Sequence, residues 1–250
     1  LGPRSGSTVY AALYRHSGAA QGANAGLALP RGGMGTVSAA LAAAARAAGV
    51  EIRCATPVRE IVMRDGRAVG VRLEDGQELA AGCVISNADP KTTLLGLLGA
   101  RHLEAEFARR VSQVRAVGTA AKLHLALSGA PRFRGVAPEL LGERLVIAPD
   151  LDYIERAFNP AKYGAYSEQP VLEFIVPTVH DTSQAPAGRH VLSAIVQYAP
   201  YDLRGGWAAG RDGLLAATMA VLERHAPGIG GQVLHAELLT PADLEQEFRM

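Results

Sequence analysis

Two Asp-Gly pairs, Asp65-Gly66 and Asp75-Gly76, separate three strand-like runs: "PVREIVMR" from Pro57, "RAVGVRL" from Arg67 and "QELAAGCVIS" from Gln77. Asp-Gly suits a two-residue hairpin loop, because both central residues take positive φ and glycine does so without penalty. In the middle run Val69, Val71 and Leu73 alternate with Ala68, Gly70 and Arg72, so one face is built for burial. The expectation is a three-stranded antiparallel meander between Pro57 and Ala88, joined by two tight turns.

The residues just upstream fix the next element. In "LPRGGMGTVSAALAAAARAAG", three glycines in four positions precede an alanine-rich helix expected from Thr36 to Ala48. Met34, Val37, Leu41, Ala45 and Ala48 fall on one face at three- and four-residue steps, and Gly49 supplies the C-terminal stop. Residues 49–54 read as a short strand on which that helix packs. Downstream of the meander, Pro90 starts a helix carrying Leu94, Leu95, Leu97 and Leu98, and another spans His102 to Val114. Strands are expected at Thr119 to Ser128, Val171 to Pro177, His190 to Ala199 and Gly231 to Leu239, with a helix from Arg211 to His225. The close, "TPADLEQEFRM", opens a helix capped by Thr240, Pro241 and Asp243, and a helix so capped reads as the start of a longer segment.

Composition narrows the function classes. Lys+Arg of 25 against Asp+Glu of 24 gives a net charge of +1, without the clustered basic residues that nucleic-acid binding needs. No apolar run reaches the length of a membrane span, and "LGPRSGSTVY" has no signal-peptide pattern, so the expected location is cytoplasmic. Cys54 and Cys83 form no CxxC pair and read as packed, reduced thiols. The seven histidines include no H-x-x-x-H or H-E-x-x-H pair, so no metal site is expected, and His124 and His235 read as satisfied polar residues inside strands. Asp150/Asp152 and Glu245/Glu247 read as solvated or capping positions. There is no G-x-S-x-G elbow.

The glycine turn is ambiguous on spacing alone. Gly32-Gly33-Met34-Gly35 lacks the G-x-G-x-x-G spacing of a dinucleotide loop and the Gly-Lys-Ser/Thr of a Walker loop. The bland alternative is a turn that lets a helix start hard against other backbone. From residues alone the reading stops at an α+β domain with a hairpin meander.

The ordered run "PRGGMGTVSAALAAAARAAGVEIRCATPVREIVMRDGRAVGVRLEDGQELAAGCVISNADPKTTLLGLLG" resembles the phytoene desaturase-like FAD-dependent oxidoreductases, including their pyridine nucleotide-disulphide oxidoreductase domain-containing branch. The likeness is close over Pro30 to Gly99, and weaker over Ser5 to Arg31 and Gly118 to Phe248. It implies part of an α/β FAD/NAD(P)-binding fold: an α+β chain with the meander and a larger mixed or antiparallel substrate-domain sheet with helices. The implied division is a substrate-domain segment at 1–29, part of the FAD-binding domain at 30–99, the substrate-binding domain at 100–239, and the start of a C-terminal segment at 240–250.

Site residues follow from the resemblance position by position. Val58, in "P-V-x-x-I", is the candidate whose backbone meets the FAD adenine. Asn87 and Ala88, in "S-N-A-D-P", return the chain toward the dinucleotide fold, and the same segment also reads as an Asx turn capping the Pro90 helix. Gly32, Gly33 and Met34 are candidates for the flavin or substrate side. No catalytic residue is nominated. The implied chemistry is hydride transfer from an apolar, elongated substrate to flavin, with FAD doing the redox chemistry. The family's phosphate fingerprint is not in this sequence, so the chain by itself is expected to bind FAD weakly or not at all and to be inactive. Peripheral membrane contact and self-association are compatible partners. Two rival readings stand beside this one, an amine-oxidase-like flavoenzyme and a non-catalytic module for an apolar ligand or partner protein.

Overall fold

A computed structural model describes residues 4–5, 29–115 and 117–248. Expectations placed on residues 1–29 lie almost wholly outside the described residues. The chain divides into two compact units, one comprising residues 41–116 and the other residues 1–40 with 117–250. Helix α1, Gly35–Ala47, runs across that division.

The smaller unit holds the meander. Strands β1 (Val58–Arg64), β2 (Arg67–Leu73) and β3 (Glu78–Ala80) form an antiparallel sheet in that order. The first turn is as the sequence implies: Asp65 and Gly66 both have positive φ, 50° and 74°. The second differs. There Leu73 N–H donates to Gln77 O and Gly76 N–H to Leu73 O, and only Gly76 turns left-handed, so residues 74–76 make a three-residue loop rather than a two-residue one. Leu73 is buried, while Val69 and Val71 are half-buried. Gly70 sits opposite a register shift in β1 at φ 154°, where a Cβ would lie 2.2 Å from Leu79 O.

Several expectations for this unit need correction. Residues 49–54 form no strand: nothing among the described residues pairs with them, and strands exist only as ladders. The third strand stops at Ala80 instead of continuing to Ser86. The apolar face of α1 is not covered, with Met34 65%, Val37 41% and Leu41 68% exposed and no residue of the helix buried. Periodicity marks which side of a helix is apolar, not what lies against it. Both cysteines are exposed rather than packed, because Cys54 falls in the bend before β1 and Cys83 beyond the end of β3.

The ends of the helices follow their sequences closely. After α1, Gly49 N–H donates to Arg46 O and Val50 N–H to Ala45 O, a Schellman closure around the left-handed Gly49. Asp89 Oδ1 accepts from the N–H groups of Lys91 and Thr92 at 2.9 and 3.1 Å and opens a π-helical turn, Lys91–Leu97, that packs against β1. Helix α2 is shorter than expected, Ala105–Ser112.

The larger unit is a five-stranded, wholly antiparallel sheet ordered β5-β6-β7-β4-β8. Its members are β4 (Ala120–Leu127), β5 (Leu145–Ile147), β6 (Val171–Ile175), β7 (His190–Gln197) and β8 (Val233–Leu239). Four of these lie where the sequence puts them. The three-residue β5 and helix α3 (Leu151–Phe158), capped by Asp150 Oδ1 on Tyr153 N–H, are additions to the elements expected from the sequence. Alternation along β4 buries Ala121, Leu123, Leu125 and Leu127. They join Leu192, Ala194 and Val196 of β7 and Leu214, Val221 and Leu222 of helix α4 (Trp207–His225) in one core. Helix α5, Pro241–Phe248, opens with the expected reciprocal cap: Asp243 Oδ2 accepts from Thr240 N–H at 2.7 Å, and Asp243 N–H donates back to Thr240 Oγ1 at 3.2 Å.

Candidate functional site

The candidate residues fall into two groups, one in each unit. Val58, Asn87 and Ala88 belong to the smaller unit, and Gly32, Gly33 and Met34 to the larger. Val58 opens β1 opposite Leu73, just before a register irregularity, with 36% of its surface exposed. Asn87 and Ala88 are exposed and belong to a small hydrogen-bonded loop. Ala88 N–H donates to Ser86 Oγ, and Thr93 Oγ1 donates to Ala88 O. Asp89 is held below the usual carboxylate range by its bonds to Thr92 and Lys91. The Asx-turn reading of this segment therefore holds as a description of its geometry.

The glycine turn is more elaborate than a bare helix start. Gly33 N–H donates to Pro30 O at 3.2 Å and Gly32 takes φ 83°, so residues 30–33 close a turn that needs glycine at its third position. Gly33, at φ 85°, passes its carbonyl to Thr36, whose N–H and Oγ1 both donate to it, the hydroxyl at 2.7 Å. A Cβ on Gly32 would stand 2.8 Å from Thr36 Cγ2. From the other side Gly32 N–H donates to Asp181 Oδ2 at 2.6 Å, across 149 residues of sequence. No local pattern in the sequence announces that contact, which joins two segments far apart in the chain.

The sheet of the larger unit adds polar groups on the face opposite its core. Lys122 and His124 alternate with buried leucines on β4 and are half-buried. His124 pairs with Ser193 on one neighbour and Glu237 on the other, and Lys122 with Ile195 and Leu239. Beyond Ile195 lies Glu173, whose carboxylate pairs with Arg144 at 2.8 Å. Burial lowers the pKa of Lys122, offset in part by Glu173, and burial together with the Lys122 charge lowers that of His124. Both effects favour the neutral imidazole of His124, against the opposing charge of Glu237. Beside this sheet, Thr178, Thr182 and residues 186–190 line a cleft of about 390 Å³. Within it the buried Thr178 fixes the His190 ring through a 2.9 Å Oγ1–Nδ1 bond. Among the described residues no three His, Cys, Asp or Glu side chains stand together as a metal site.

Comparisons with known proteins agree on the class. Phytoene desaturase (neurosporene-forming) of Cereibacter sphaeroides is 28% identical over 87% of this chain and 41% of its own length. Pyridine nucleotide-disulfide oxidoreductase domain-containing protein 2 of Mus musculus is 33% identical over 99% of this chain and 45% of its own. This chain therefore spans a little under half the length of these relatives. An oxidoreductase of solved structure from Methanosarcina mazei superposes with a TM-score of 0.59 over 84% of this chain at 20% identity, which shows the shared fold. The family model of flavin containing amine oxidoreductases matches residues 10–224, and the chain belongs to that family.

Proposed function

We propose that this chain forms the substrate-side sheet and part of the flavin-binding wall of an FAD-dependent oxidoreductase that oxidises an apolar, elongated substrate. The observation that carries the reading is the family match over residues 10–224, which takes in the glycine turn, α1, the meander and most of the large sheet. When bound, the flavin supplies the redox chemistry by accepting a hydride from a substrate C–H. The chain's own part is to bind, orient and exclude water.

The residues present fit one portion of the cofactor and not another. At Gly32 and Gly33 the backbone is bare of side chains and lies near the surface, so a flat ring can approach it closely. The backbone of Val58 at the irregular entry to β1 would take the adenine edge, with the loop of Asn87 and Ala88 beside the helix that packs on β1. The sequence carries no G-x-G-x-x-G turn to grip a pyrophosphate. In keeping with this, Leu41 at 68% and Ile85 at 92% exposed leave apolar surface that the cofactor-binding remainder of such an enzyme would cover. The family description names amine oxidoreductases, so the apolar substrate rests on the desaturase relatives.

Native mass spectrometry of the complete protein that carries this chain separates the enzyme from a binding module. The enzyme reading expects bound flavin. A flavin-free protein that retains a lipid would overturn it in favour of a non-catalytic carrier.

A further inference from the structure

Asp181 stands at the start of a single 3-10 turn, Thr182–Gln184, in the connection from β6 to β7. Its Oδ1 accepts from the N–H and hydroxyl of Ser183 at 3.1 and 2.6 Å. Its Oδ2 accepts from Gln184 Nε2 at 3.0 Å and from Gly32 N–H at 2.6 Å. Four donors thus converge on one carboxylate, and none of them is a charged side chain. The same turn of chain packs against the next glycine, since a Cβ on Gly33 would lie 3.5 Å from Gln184 Oε1. The glycine turn is therefore gripped from two sides, by Thr36 of its own helix and by Asp181 with Gln184. Thr178, Thr182 and residues 186–190 of the same loop wall the 390 Å³ cleft, so one loop contributes both the cleft and, from its other residues, the clamp.

We propose that Asp181 is a positioning residue. Its carboxylate holds the left-handed Gly32–Gly33 turn against the substrate-side sheet, so that the surface offered to the flavin and the wall offered to the substrate keep one fixed relation. The role in catalysis rests on the reading of the glycine turn as flavin-facing, whereas the clamp stands on the hydrogen bonds alone. An anionic acceptor is suited to this task because bonds to a charged group are stronger than neutral ones.

The test uses the 250-residue protein with Asp181→Ala and Asp181→Asn, followed by amide hydrogen exchange and NMR. In Asp181→Ala the Gly32 amide loses about tenfold or more of its protection, as expected for one lost bond to a charged acceptor. The amides of Leu123 and Leu125 in β4 stay protected and show that the sheet remains folded. Asp181→Asn, which keeps the size and one acceptor oxygen but not the charge, restores only part of the loss; full restoration would mean that shape and a neutral acceptor suffice and would overturn the part given to the charge. Unchanged exchange at Gly32 in Asp181→Ala would overturn the clamp. A titration with millimolar FAD then probes the other half: Gly33 and Met34 amides shift in the wild type and shift less in Asp181→Ala. If wild-type shifts are confined to other residues, the flavin-facing role falls while the exchange result still decides the clamp.

Discussion

At the scale of single residues, burial and hydrogen bonding decide which polar groups are poised to act. His124 sits half-buried on β4 beside Lys122, and both its burial and that neighbouring charge disfavour the imidazolium. Its folded pKa therefore lies below the ordinary histidine value of about 6.5. The unfolded chain binds this proton more readily than the folded one. Stability from this site is accordingly complete above about pH 6.5 and declines as pH falls toward the folded pKa. An NMR titration of the His124 ring should give a midpoint below about 6.5; a midpoint at or above that value would contradict its burial on β4 beside Lys122. Asp181 is the opposite case, a carboxylate kept far below its usual range by Ser183, Gly32 and Gln184. Sequence showed where the glycines were but not their partner, because a bond across 149 residues leaves no local pattern. It also singled out both cysteines as packed, since cysteine is so often buried, although their places in a bend and beyond a strand end leave them exposed.

At the scale of elements, the features legible in the sequence were those governed by local chemistry. The Asp65-Gly66 turn, the Gly49 helix stop, the Asp89 cap and the Thr240–Asp243 box all depend on residues within five positions of one another. What escaped depended on partners further off. Strand β5 has only three residues, too few for alternation to show, and exists through its ladder with β6. Residues 49–54 have strand-like composition but no ladder among the described residues. Gly70 illustrates the same point within a strand, where alternation put it on the polar face and the structure shows it buried under Leu79 O. Gly70→Ala must move backbone, and it should destabilise the meander by about 1–3 kcal/mol or more. Urea unfolding read through a probe in the meander measures this. Gly82→Ala, whose Cβ would meet nothing within 4 Å, serves as the near-neutral control. Equal stability of the two variants would mean that the bulge opposite Gly70 is misplaced.

At the scale of the whole molecule, the chain joins a well-packed antiparallel sheet to a meander unit and a helix that keep apolar surface in water. The large sheet is self-sufficient: the leucines of β4 and the facing residues of β7 and α4 are fully buried. By contrast α1 buries nothing, and Ile85 is 92% exposed. Relatives roughly twice this chain's length, the flavin family match and the missing phosphate fingerprint give this asymmetry one account. On the proposed reading the chain contributes flavin-facing residues, but its sequence carries no G-x-G-x-x-G turn to grip the pyrophosphate, from which FAD gains much of its affinity. The measurement that tests this most directly is a titration of the purified 250-residue protein with FAD, followed by flavin fluorescence. The account predicts no saturable quenching at micromolar FAD. Saturation there, with tight stoichiometric binding, would contradict it.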